Sequence, residues 1–159
     1  MLFRSSRWVD LLAAKTGWAI CNMGENGRTI PLSPPVIPND TDLLIVMLGT
    51  NNLLQGQTPE DSAKKLEHVL THIPLCPNQI LLIAPPPLSL GQWVTSQQLV
   101  DRSLVFAQCC QELAQRLGFL FADAGTWKIP LTYDGVHFTE QGHKQFACGL
   151  LDVLNRMKA

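Results

Sequence analysis

Hydrophobic residues along this chain fall into short continuous runs and longer periodic stretches. The continuous runs predict four buried strands, at Trp18–Cys21, Asp42–Leu48, Ile80–Ala84 and Phe119–Ala122. Apolar residues spaced three or four positions apart predict helices that begin near Trp8, Thr58, Leu99 and Thr139. Apolar strands alternating with amphipathic helices are typical of an α/β fold, with a parallel sheet covered on both faces.

Capping residues sharpen the helix boundaries. Thr58 followed by Pro59 and two acids predicts a helix start, and Gly118 predicts the end of the longest helix. Thr139 is expected to cap the last helix, whose apolar residues are expected to pack inward: Phe146, Ala147, Leu150, Leu154 and Met157. The one loop-rich stretch runs from Pro31 to Thr41.

Composition and charge narrow the class of protein. With 159 residues, 46% of them hydrophobic and 16% charged, the chain reads as a single globular domain spanning residues 1–159. A net charge of −1 gives no reason to expect nucleic acid or an anionic membrane as a partner. The absence of a visible secretory signal or transmembrane run favours a cytoplasmic location.

Five cysteines, an odd number, show neither CxxC nor metal-ligand spacing. We interpret them as buried free thiols in a reducing compartment: Cys21, Cys76, Cys109, Cys110 and Cys148. The pair at 109 and 110 would diverge on a helix, so packing is a better explanation for it than redox chemistry.

Ligands of such folds bind beyond the carboxyl ends of the strands, and three loops there carry candidate chemistry. Asp134 stands three residues before His137, so its carboxylate can orient the imidazole as a base. Asn51 can donate its amide to an oxyanion, and Gly27 allows a backbone N–H to approach one. Taken singly, each element also fits an ordinary turn or loop.

The combination and order of these elements is more specific. The chain reads N-x-G-x-x-G-R-T at 22–29, M-L-G-T-N at 47–51 and D-G-x-H-F-T at 134–139. Over residues 7–150 it resembles the SGNH, or GDSL-type, serine ester hydrolases, and within them the arylesterase-like branch. The resemblance implies a flavodoxin-like three-layer α/β/α fold with strand order 2-1-3-4-5. It implies hydrolysis of small-molecule esters by a Ser-His-Asp triad, without metal or other cofactor.

The resemblance also assigns roles. Asp134 would orient His137, the general base of the triad, and Gly27 and Asn51 would line the oxyanion hole. Trp93 either lines the substrate pocket or covers an edge of the core. Asn52 stands where the family has aspartate, which puts a supporting hydrogen bond in doubt.

The family's Gly-Asp-Ser motif, which carries the nucleophile, is missing from this sequence. We therefore expect an N-terminally incomplete domain without its first central strand. The strands at Trp18–Cys21 and Asp42–Leu48 should then either flank an open slot or close up. No other serine has a nucleophile's context, including Ser5 and Ser6, which favour helix capping.

Two other classes of function remain open. One is a non-catalytic pseudoenzyme or binding domain that keeps the pocket. The other is a nucleotide-binding domain, which the lack of a phosphate loop disfavours. His68 and His72 have metal-compatible spacing but no acidic partner in a zinc-protease pattern, so solvated helix residues are expected. The oligomeric state stays open, and a homo-oligomer is compatible with the sequence.

Overall fold

The structure, a computed structural model, describes residues 6–158. Its three strands are β1 (Leu44–Val46), β2 (Ile80–Ala84) and β3 (Leu120–Asp123). Its five helices are α1 (Trp8–Thr16), α2 (Thr50–Leu54), α3 (Pro59–Thr71), α4 (Gln97–Leu117) and α5 (Glu140–Lys158). Short 3-10 turns precede β2 and follow β3, at Pro77–Gln79 and Ala124–Trp127.

The strands form one parallel sheet in the order β1-β2-β3. All five residues of the central strand β2 are buried, as expected for a strand covered on both faces. One face packs against α3 and α4 through Leu66, Leu70, Phe106, Cys110 and Leu113. The other packs against α1 and α5 through Leu12, Phe146, Leu150 and Leu154. The predicted α/β fold with helices on both sides of a parallel sheet is confirmed.

The capping residues lie where the sequence places them. The Thr58 hydroxyl accepts a hydrogen bond from the Asp61 N–H, with an N···O distance of 3.1 Å. Gly118 ends α4 in the left-handed conformation, with φ of 75°. The Thr139 hydroxyl accepts from the Gly142 N–H at 2.9 Å at the start of α5.

The predicted strand at Trp18–Cys21 is wrong. This stretch has no strand structure, and residues 19–21 are exposed. An apolar run forms a strand only if its backbone groups find a ladder partner, and within residues 6–158 no strand pairs with the outer side of β1. Of the family order 2-1-3-4-5, the described residues form the last three positions.

Two burial predictions also need correction. Only Cys110 is buried, where burial chiefly raises the pKa of its thiol to about 12. Cys109 is half-buried, while Cys21, Cys76 and Cys148 are exposed, because they lie in loops or on the outer face of α5. Met157 is also exposed, since it follows the last buried residue of α5, Leu154. None of the helices within residues 6–158 has the length and hydrophobicity to cross a membrane.

Candidate active site

Asp134 and His137 lie on a hairpin-like loop between β3 and α5. The loop is closed by an antiparallel bridge between Leu131 and Phe138, and the Thr132 N–H donates to the His137 carbonyl at 2.7 Å. At its tip, Asp134 Oδ2 lies 2.7 Å from His137 Nδ1. The spacing of three residues folds these side chains together, as the sequence predicts.

Hydrogen bonds hold Asp134 as a carboxylate. Its Oδ1 accepts the backbone N–H groups of Val136 and His137, at 2.8 and 2.9 Å. Burial raises the pKa of this carboxyl, but those bonds and the bond to the His137 side chain outweigh burial and hold the pKa well below its usual range. A charged Asp134 keeps the proton of a neutral His137 on Nδ1, which leaves Nε2 free to act as a base.

Asn51 lies in the first turn of α2, directly beyond β1. Gly49 at the start of this helix has φ of 122°, and a Cβ there would overlap the ring of Phe106. Glycine is therefore required at position 49 for two reasons: the backbone conformation and the close approach of the buried Phe106 ring. This turn brings the residues after β1 to the carboxyl end of the sheet.

The loop that carries Gly27 is fastened to α2 by two neighbouring asparagines. Asn51 Nδ2 donates to the Arg28 carbonyl at 3.0 Å, and the buried Asn52 Oδ1 accepts the Ile30 N–H at 2.9 Å. Gly27 itself is exposed, with φ of 70°. The structure thus brings the two oxyanion candidates into one unit, joined through the Arg28 carbonyl.

Asn52 is a residue whose contribution the sequence left in doubt. Its carboxamide makes the supporting bond to Ile30 and also donates to Gln57 Oε1 at 3.0 Å. Gln57 Oε1 in turn accepts from Lys65 Nζ of α3 at 2.8 Å. Asparagine therefore serves here as an acceptor and a donor at once.

Trp93 packs its indole edge-on to the His137 imidazole, with ring centroids 5.0 Å apart and planes at 79°. The side chain is 55% exposed, so it does not cover the core. Its other predicted role, as a wall of the substrate pocket, stays a prediction. The backbone N–H of Trp93 also donates to the Asp134 carbonyl at 3.0 Å.

The remaining candidates carry no chemistry that we can assign. His68 and His72 are exposed on and after α3, with ring centroids 4.6 Å apart. Among the described residues, no group of three or more histidine, cysteine or acidic side chains could hold a metal ion. Ser103 accepts the Leu88 N–H and Ser96 caps α4, whereas Ser5 lies outside the described residues.

A hydrogen-bonded Asp134–His137 pair follows β3, and Asn51 follows β1, so both lie beyond the carboxyl ends of the parallel strands. The sequence matches the GDSL-like Lipase/Acylhydrolase family over residues 3–145, and the chain belongs to that family. It is thus built on the framework of an ester-hydrolysing enzyme.

Solved structures share this fold. The native aryl esterase of M. smegmatis superposes with a TM-score of 0.80 at 22% identity, covering 98% of this chain and 87% of that one. A carbohydrate acetylesterase family member from Sinorhizobium meliloti gives 0.79 at 22% identity, covering 98% and 88%. The structure of a putative arylesterase from Agrobacterium tumefaciens str. C58 gives 0.78 at 25%, covering 96% and 87%. No curated protein matches the sequence.

Proposed function

We propose that this domain hydrolyses small carboxylic esters with Asp134 and His137, in concert with a serine of a Gly-Asp-Ser motif that the present sequence does not contain. The observation that carries the proposal is the 2.7 Å contact between Asp134 Oδ2 and His137 Nδ1. It orients an exposed imidazole against a buried carboxylate, which is the arrangement a general base needs. The 159-residue chain alone is then inactive.

The chemistry assigned to the dyad is acyl transfer through a covalent intermediate. His137 Nε2 takes the proton from the serine hydroxyl as its oxygen attacks the ester carbonyl. The Asn51 amide and the Gly27 N–H donate to the oxyanion that forms, while Asp134 stabilises the imidazolium. His137 then protonates the leaving alcohol, and a water molecule, deprotonated by His137, releases the acid and regenerates the serine.

Trp93 supports a small, uncharged substrate. Its exposed indole, edge-on to His137, offers an apolar wall where the leaving alcohol or the acyl group would sit. The names of the structural neighbours, aryl esterase and carbohydrate acetylesterase, support acetyl esters of phenols or sugars as the first substrates to try. Neither nucleic acid nor a membrane surface is part of this proposal.

A second candidate is a binding domain that keeps the pocket without catalysis. The observation that favours it is the sequence itself, which holds the oxyanion asparagine, the aspartate and the histidine but no Gly-Asp-Ser. Such a domain would bind an ester or its acid product without turning it over.

The two candidates are separated by comparing the chain with an extended form. The extended form carries, before Met1, an apolar strand that ends in Gly-Asp-Ser and a connecting segment taken from an arylesterase. We expect p-nitrophenyl acetate hydrolysis by the extended form, abolished by His137→Ala and by changing the added serine to alanine. The 159-residue chain should not exceed its own His137→Ala control.

Two results would contradict the proposal. A folded extended form without turnover would favour the binding domain. Turnover by the unextended chain that depends on His137 and shows an acyl-enzyme burst would mean that another serine of this sequence is the nucleophile.

A further inference from the structure

We propose that residues 88–94 are the element that positions the Asp134–His137 dyad, and that Gly91 is the positioning residue at its centre. The inference rests on the proposed function, in which Asp134 and His137 perform the catalysis. Residues 88–94 contain neither of these two residues, and their sequence has no motif that would identify them as part of the site.

Three backbone hydrogen bonds join this segment to the tip of the catalytic loop. The N–H groups of Ser89, Gln92 and Trp93 donate to the carbonyls of Gly135, Tyr133 and Asp134, at 3.1, 3.0 and 3.0 Å. These bonds place the residues from 133 to 135 along one side of the segment. The Asp134 backbone is therefore fixed by a neighbour about forty positions earlier in the sequence, as well as by its own hairpin.

Gly91 lies at a close approach between the two segments, as does Gly135 on the opposite side. A Cβ at position 91 would lie 2.6 Å from the Tyr133 carbonyl oxygen and 2.7 Å from both the Asp134 carbonyl carbon and the Gly135 nitrogen. All three are backbone atoms, so no side-chain rotation could relieve the overlap. Any other residue at 91 must push the catalytic loop away.

The positioning segment is itself anchored to the core. The Leu88 N–H donates to the buried hydroxyl of Ser103 on α4 at 3.0 Å, and Leu88 is buried. At the other end Val94 is fully buried, and it exchanges two backbone hydrogen bonds with Gly91, at 3.1 and 3.2 Å. The segment that is hydrogen-bonded to Asp134 is therefore attached to the core at both of its ends, through Leu88 and Val94.

The side chain of Trp93 adds a direct contact. Its indole lies edge-on to His137, while its own N–H is bonded to the Asp134 carbonyl. One residue of the segment thus contacts both members of the dyad. A shift of residues 88–94 would therefore disturb the positions of both Asp134 and His137.

The test uses Gly91→Ala in the 159-residue chain, with Gly149→Ala as the matched control. A Cβ at position 149 on α5 would overlap the Trp127 ring, so the control introduces a comparable steric clash without touching residues 88–94. Diethyl pyrocarbonate modifies exposed imidazoles, and peptide mass spectrometry at low micromolar protein gives the rate at each histidine. The reporter is the rate at His137 relative to that at His68, which is exposed on α3.

Asp134→Asn breaks the dyad, so we expect it to change the ratio of the His137 modification rate to the His68 modification rate. Gly91→Ala should show the same altered ratio. Gly149→Ala should keep the wild-type ratio. Amide hydrogen exchange should accelerate by about tenfold in both 88–94 and 131–139 of Gly91→Ala, because the backbone hydrogen bonds between the two segments would break together. If Gly91→Ala fails to fold, Ser103→Ala should shift the ratio in the same direction, because it removes the hydroxyl that accepts the Leu88 N–H and donates to the Val100 carbonyl within α4.

A folded Gly91→Ala protein with the wild-type ratio would overturn the inference, as would an equal shift in Gly149→Ala. Neither readout requires ester hydrolysis. An extended form without turnover whose histidine ratio still responds to Gly91→Ala would therefore refute the proposed function and leave this inference standing.

Discussion

Asn51 and Asn52 are neighbours in sequence, yet they bind the same loop through opposite chemistry. Asn51 donates its amide to the Arg28 carbonyl, whereas Asn52 accepts the Ile30 N–H. The two bonds lie two residues apart on the loop and fix both its position and its direction. The loop that carries Gly27 is consequently held against α2 at two points.

Loss of the Asn52 carboxamide should destabilise the chain. Asn52→Ala leaves the Ile30 N–H buried without an acceptor, which costs roughly 1–3 kcal/mol of unfolding free energy. Asn52→Asp keeps an acceptor for Ile30 but loses the donor to Gln57 Oε1 and buries a charge, so it should recover only part of the loss. Urea unfolding of both variants, beside Asn78→Ala at an exposed position, measures the effect. A loss no larger than that of Asn78→Ala would show that this hydrogen bond contributes nothing.

Asn51 should affect the rate of the extended form and leave substrate binding nearly unchanged. Removal of one oxyanion donor lowers kcat by roughly 10²–10³, so Asn51→Ala should show a fall of this size with p-nitrophenyl acetate. Asn39→Ala, in an exposed loop, serves as the control. An increase confined to KM would instead assign Asn51 to substrate binding.

The dyad should make stability depend on acid pH. The folded-state pKa of Asp134 lies below the unfolded value of about 3.9, so its contribution is fully present above that pH and is lost as pH falls through the folded pKa. Asp134→Asn lacks this contribution. The unfolding free energy of the wild type should exceed that of the variant near neutrality, and the difference should shrink below about pH 4. A difference that stays constant across this range would contradict the assignment.

The outer side of β1 should make the isolated chain associate. This strand lies at the margin of the sheet, where Leu44 and Ile45 are only partly buried, and within residues 6–158 no strand pairs with its outer side. Unpaired strand edges are templates for contact with other chains. We expect sedimentation to show concentration-dependent aggregates, and thermal unfolding to be broad. A monodisperse protein with a sharp, reversible transition would contradict this expectation.

What the sequence predicted well is local. The caps at Thr58, Gly118 and Thr139 depend on neighbours within a few residues, as does the approach of Asp134 to His137. These features need no knowledge of the tertiary structure. The bounds of β2 were predicted correctly, whereas the predicted ends of β1 and β3 differ from the structure by two residues and one residue.

What the sequence could not show depends on distant partners. Trp18–Cys21 has the composition of a strand, but no strand among residues 6–158 pairs with it, and composition does not reveal a partner. The segment at 88–94 holds Asp134 through backbone groups, which every residue type supplies alike. The oxygen of Asn52 meets Ile30 twenty-two positions away, in a loop whose path no periodicity describes.

The Phe106 ring fills the space that a side chain at position 49 would occupy, and this limits which substitutions the two positions can accept. The ring of Phe106, among the largest fully buried side chains, fills the volume that any side chain at position 49 would need. Substitution at 49 is therefore tolerated only together with a smaller residue at 106, and such a pair would still have to adopt a φ of 122°. The packing of the core alone therefore requires glycine at the start of α2, independently of any chemistry that Asn51 performs.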